Sequence, residues 1–294
     1  MTKRRSNWYI YLITFLVAGV IVYIVSNALL NMFYESQKRG ETNTSQNTGT
    51  VFKPDKAHNF TILTMLSDSA DDAPDYYMTI TYRGDTNSII LMPYLKNSYM
   101  KGNTLEGAYK NGGPEAATKL LADATGVKIS KYIKFTESTL IEFFDMAGNT
   151  TITVPTQLKH ENEDDKTMTI INKGTSSFTG KQLHAYLTFP DYGVKDVQYP
   201  CKVHGNSYSE FINQNFHNLS EGYIEQYSSF LINFTQTNIT KQDYEQKKKA
   251  LLYSFSYTNE ICDYYVPYGE KTDKGFEISA DSFATVKAKI TEEE

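Results

Sequence analysis

Residues 6–34 contain no Asp, Glu, Lys or Arg, and their central part, residues 8–25, is almost entirely apolar. A run of this length exceeds the roughly 20 apolar residues needed to cross the hydrocarbon core of a bilayer. Lys3, Arg4 and Arg5 precede it, whereas Glu35, Lys38, Arg39 and Glu41 follow it in a mixed set. This asymmetry predicts a cytoplasmic tail over residues 1–7, one transmembrane helix over residues 8–33, and everything beyond on the outer side of the cell membrane. Trp8, Tyr9 and Tyr11 at one end, with Phe33 and Tyr34 at the other, suit the two interfacial belts. A cleaved signal peptide would have an apolar core of about 7–15 residues and a small-residue cleavage site. Here the run is longer and no Ala-x-Ala follows it.

Residues 34–56 are rich in Thr, Asn, Gly, Ser and charge, too polar to bury a core, and read as a flexible tether. Residues 57–294 have the length for one extracytoplasmic domain. A formal net charge of −5 and the lack of a basic face argue against a nucleic-acid partner, as does a position outside the cytoplasm. The two cysteines, Cys201 and Cys262, would lie where a disulfide is permitted, but their spacing leaves pairing and separate burial equally open. The five histidines are scattered and argue against zinc.

Within the domain, short apolar runs at residues 60–66, 76–82 and 88–92 predict three strands, the latter two joined by the turn-forming Arg83-Gly84-Asp85-Thr86-Asn87. Residues 115–124, between Pro114 and Gly126, predict a helix. A strand at 132–135, a helix at 138–146, strands at 150–154 and 167–171 and a helix at 178–189 continue the alternation. Residues 208–234 and 242–257 carry long helical patterns with aromatic stripes, which read as core packing more readily than as a lipid-lined pocket. A strand at 261–266 and a helix near 282–290 close the chain. The alternation predicts an α/β fold, a layered α-β-α domain with a mixed sheet.

Four segments in order resemble the LytR-CpsA-Psr family of bacterial cell-envelope proteins. Leu66-Ser67-Asp68-Ser69, with Asp75 opening the second strand, is similar to that family's first carboxylate turn and its Arg-x-Asp. The run from Leu105 to Glu115 (LEGAYKNGGPE) resembles its Asn-x-Ala-Tyr segment leading into Gly-Gly. Phe143-Phe144-Asp145-Met146-Ala147-Gly148, followed by Thr151-Ile152-Thr153-Val154-Pro155, and then Phe178-Thr179-Gly180-Lys181-Gln182-Leu183-His184-Ala185-Tyr186, complete the match. The resemblance spans about residues 60–190.

It implies transfer of a phosphoglycopolymer from a polyprenyl pyrophosphate lipid to peptidoglycan, with Mg2+ on Asp68 and Asp75 and arginines neutralising the pyrophosphate. Guanidinium suits that task because its planar fork bonds phosphate oxygens bidentately. Yet the positions that line up with the family's arginines hold Ala73, Tyr94, Thr188 and Pro190, and beyond Arg39 the chain has only Arg83. The expectation is therefore an envelope protein with impaired catalysis that binds a polyprenyl-linked glycan precursor or an envelope partner. One alternative is an active phosphotransferase in which Lys96 or Lys101 replaces arginine at phosphate. Another is a tethered adhesion or scaffold domain, favoured if the first three strands are antiparallel neighbours with no cleft at their ends.

Overall fold

The computed structural model describes residues 52–162, 166–217, 219–257 and 260–291. The expected tail, the expected membrane segment and residues 34–51 of the tether lie outside them. Among the described residues no helix is long and apolar enough to cross a membrane. The last residues of the expected tether lie against the domain: the Phe52 ring meets those of His58 and Tyr253 edge-on, and Pro54 is buried.

Three β-branched and aromatic runs form β1 (Phe60–Ser67), β2 (Tyr76–Arg83) and β3 (Ser88–Leu95), an antiparallel meander with Met65 opposite Tyr77 and Tyr77 opposite Tyr94. The polar hairpin β4 (Ser98–Met100) and β5 (Asn103–Thr104) leads into α1 (Leu105–Thr125), which crosses over to deliver β6 (Ile129–Thr136) parallel to β1. Thr104 caps α1 by accepting from the Gly107 N–H. The predicted helix after Pro114 is present, but α1 begins nearly three turns earlier and kinks at Gly112 and Gly113. Gly113, at φ +69, sits where a side chain would be strained.

Next come α2 (Glu137–Ala147), β7 (Thr150–Val154), β8 (Leu158–Glu161), β9 (Met168–Ile171), β10 (Gly174–Phe178) and α3 (Gly180–Leu187). The C-terminal part holds α4 (Tyr199–Asn215), α5 (Glu221–Phe234), β11 (Gln236–Thr237), α6 (Lys241–Tyr257), β12 (Cys262–Tyr264), β13 (Gly269–Thr272), β14 (Gly275–Ile278) and α7 (Ala280–Thr291). The principal sheet has the order β11-β6-β1-β2-β3-β12, with β6 and β12 parallel to their inner neighbours and the remaining pairs antiparallel. The mixed α/β character read from the sequence is what forms.

Both faces of this sheet are covered, which explains why its strands are apolar almost throughout. On one face Leu66, Met78, Tyr82, Leu91, Ile133 and Phe135 pack with the buried residues of α2 to α6. On the other Leu63, Met65, Tyr77, Met92 and Tyr94 pack with α1, α7 and the small sheet β13-β14-β4-β5. Each fully buried Leu or Met contributes about 1.5–3 kcal/mol.

The pattern over residues 208–234 forms two helices, α4 and α5. The chain breaks where Phe216 turns inward between the rings of Phe211, Tyr227 and Phe255, ahead of a polar stretch that favours caps over helix. These rings fill the core. Cys201 and Cys262 are both free and buried.

Candidate functional site

At the start of β2 and the end of β3 a cleft of about 430 Å³ opens, walled by Tyr76, Tyr94, Phe189, Pro190 and residues of α4. The first three strands are therefore antiparallel neighbours, as the scaffold reading requires, but a cleft does lie at their ends. Tyr76 presents its ring to His204 of α4 in a stacked pair at 4.2 Å. His204 is fully inside, its Nε2–H donating to the Leu187 carbonyl at 2.8 Å. Cys201, one turn earlier, faces the same cleft, and burial pushes its thiol up to about 12.

Asp75 lines the cleft and Lys96 reaches it across the β2–β3 ladder, Nζ to Oδ1 at 2.6 Å. That hydrogen bond holds the Lys96 ammonium above its ordinary range. With side chains 48% and 42% exposed, the pair is worth only about 0–1 kcal/mol, weak enough for an anion or cation to displace. The Asp75 N–H donates to the Leu66 carbonyl at 2.9 Å, which places the start of β2 against the end of β1 where Asp68 follows. Asp68 is exposed, and its charge, like that of Asp75, acts on Lys96 and Tyr76. The two carboxylates thus lie at the same end of the sheet. Lys101 does not: it sits in the β4–β5 turn at φ +49 and faces a separate hollow with Tyr99 and Phe283.

As oxygen donors Asp68 and Asp75 suit magnesium, which takes one or two carboxylates and fills its remaining positions with water and phosphate oxygens. Among the described residues no group of three or more Asp, Glu, His or Cys could hold a metal without such help.

Two basic side chains that the sequence reading passed over matter to this end. Lys134 on β6 is only 2% exposed, and its Nζ donates to the carbonyls of Ala70 and Asp72, both at 2.7 Å, with the Tyr109 ring centroid 5.3 Å away. It ties down the loop that follows Asp68. Its signal in the sequence was a charge inside an apolar strand, Tyr132-Ile133-Lys134-Phe135. Lys271 on β13 also lines the cleft, from a polar segment with no distinguishing pattern. Arg83, by contrast, stands at the opposite end of β2, roughly 23 Å along the strand. There it is buried and donates to the Lys289 carbonyl at 3.1 Å, with Asp85 3.9 Å away.

Burial depresses His204 to about 4. Below the ordinary value of about 6.5 the unfolded chain takes up a proton that the folded chain refuses, so stability should fall as pH drops from 6.5 toward 4, by up to roughly 3 kcal/mol. His184, depressed for the same reason, adds to the same trend. Thermal melts of wild type and His204→Asn across pH 4–7 check this; the variant should lose most of the slope.

The family model described as the LytR_cpsA_psr family matches residues 23–191. The chain belongs to the LytR-CpsA-Psr family. No curated protein matches it. A crystal structure from Eubacterium siraeum, described as a candidate transcription regulator, is 47% identical, with 85% of this chain and 97% of that one covered and a TM-score of 0.80. TagV of B. subtilis, 14% identical over 82% of this chain and 98% of its own, has a TM-score of 0.64. A structure of TagT bound to LIIa-WTA is 13% identical over 85% of this chain and 97% of its own, with a TM-score of 0.62. These last two share the fold of this LytR-CpsA-Psr domain. The family match ends at residue 191, whereas the cleft is completed by α4 and by the β13–β14 hairpin beyond it.

Proposed function

We propose that this LytR-CpsA-Psr protein is anchored in the cell membrane by residues 8–33, with its domain outside, and that its cleft binds a polyprenyl-linked glycan precursor without turning it over. The observation that carries this reading is the cation inventory of the cleft. The domain's one arginine, Arg83, is committed to the far end of β2, and the resemblance implies that Ala73, Tyr94, Thr188 and Pro190 stand where the family carries arginine. Phosphoryl transfer is catalysed almost entirely by positioning and fixed positive charge, so a cleft without guanidinium retains affinity and loses rate.

Asp68 and Asp75 would hold Mg2+, which when bound screens phosphate charge and so assists retention of the lipid. The Lys96–Asp75 pair is exposed and weak, so the Lys96 ammonium would be free to turn to the ligand. Tyr76, Phe189 and Pro190 supply apolar surface for the lipid or sugar, and TagT, which shares the fold, was captured with LIIa-WTA. An active phosphotransferase is the second reading, supported by the presence of two carboxylates, Asp68 and Asp75, at the same end of the sheet. The test incubates the full chain in nanodiscs with a radiolabelled polyprenyl pyrophosphoryl sugar and Mg2+. The label should co-purify with protein and be recovered unaltered; failure to co-purify, or recovery as lipid phosphate, contradicts the proposal.

A further inference from the structure

We propose that Lys271, on the C-terminal hairpin, is the second cation of the cleft, and that Lys96 and Lys271 together hold one phosphate group, a monoester or diester with an apolar substituent. The proposal rests on the reading that the cleft binds a phosphate-bearing envelope lipid. Lys271 lies directly opposite Phe276 on β14, and Phe276 pairs with Ser98 on β4, two residues after Lys96. Two strand spacings, about 10 Å, therefore separate the backbone of Lys271 from that of Ser98, and Lys96 stands in the turn that leads into Ser98, so both ammonium groups line the one cleft.

The hairpin is fixed in this place. The Phe276 N–H donates to the Asn97 carbonyl at 3.0 Å, and Gly275, at φ +134, passes so close to that carbonyl that any side chain would collide with it. Phe276 is buried and lines the cleft beside Lys271. Glu270 and Glu277 pair with each other at the next register position, which points them to the opposite face, and among the described residues no carboxylate forms an ion pair with Lys271.

Charge sets the ligand class. The cleft lining carries two cations, Lys96 and Lys271, beside Asp75, enough donors for the oxygens of one phosphate group and none left for the second phosphate of a pyrophosphate. Phe189, Pro190, Val197 and Pro200 line the cleft with apolar surface that suits an alkyl chain.

The experiment measures dissociation constants of farnesyl monophosphate, farnesyl pyrophosphate and glycerol phosphate for the full chain in detergent micelles, with chelator present and empty micelles as reference. Farnesyl monophosphate should bind within about threefold of the pyrophosphate, and glycerol phosphate at least about tenfold more weakly. Lys271→Ala should weaken farnesyl monophosphate about tenfold, the worth of one charge-assisted hydrogen bond, with Lys271→Arg restoring it and Lys101→Ala changing nothing. Because Lys271 is exposed, its variants should melt as wild type does. Wild-type binding that Lys271→Ala leaves within twofold overturns this inference while leaving the proposed function standing. Absence of binding by any farnesyl compound overturns both. Pyrophosphate binding ten or more times tighter than monophosphate refutes the single-phosphate claim, and glycerol phosphate matching farnesyl monophosphate refutes the apolar substituent.

Discussion

The combined replacement Ala73→Arg, Tyr94→Arg, Thr188→Arg and Pro190→Arg is expected to create magnesium-dependent release of lipid phosphate from a polyprenyl pyrophosphoryl sugar, at least about 10²-fold above the unmodified chain. One positioned donor to developing charge is worth about 10²–10³ in rate, so even partial restoration exceeds that threshold. The positions differ in tolerance. Pro190 is exposed and Ala73 and Thr188 are half-buried, so a guanidinium at each can keep contact with water. Tyr94 is only 3% exposed, and burial raises its phenol above the usual range, so an arginine there must desolvate its charge. The triple variant without Tyr94→Arg is therefore the better folded, and the quadruple variant the more active if it folds. A folded quadruple variant that binds lipid and still releases nothing would show that missing arginine is not what silences the cleft.

Lys134→Ala is expected to lower stability by about 3 kcal/mol, a fall of roughly 6–12 °C in melting temperature for a domain of this size. Lys134→Met should recover more than half of that loss. The lysine side chain is buried beside the Tyr109 ring of α1, and methionine replaces most of its volume without needing a partner for a charge. Neither variant can donate to the Ala70 and Asp72 carbonyls, so both should open the loop after Asp68 to limited proteolysis. If Lys134→Met protects that loop as well as wild type does, the ammonium is not its anchor.

The sheet was legible because it is covered on both sides: β1, β2, β3 and β6 appear as apolar runs, and α2 and α3 as helical patterns at residues 138–146 and 178–189, whose Thr136 and Thr179 caps the structure adds. β9 was read at residues 167–171, but β8 and the hairpin β13–β14 were not, since β8 and β13 are mostly polar and β14 has only four residues, two of them buried, which leaves little periodic signal. The split between α4 and α5 was missed because an aromatic stripe continues through the break. At the site, Asp75 and Lys96 could be named from local motifs. Lys271 could not, because only the pairing of β14 with β4, distant in sequence, brings it to the cleft. Lys101 looked equivalent to Lys96 by spacing, yet the β4–β5 turn directs it elsewhere.

Binding without turnover is measured as the rate at which the unmodified full chain, in nanodiscs with Mg2+ or Mn2+, releases phosphate or lipid phosphate from a polyprenyl pyrophosphoryl sugar offered with peptidoglycan acceptor. Bound lipid and no release above the uncatalysed background are expected. Release at a rate comparable to an active LytR-CpsA-Psr enzyme, abolished by Asp75→Ala, would contradict it.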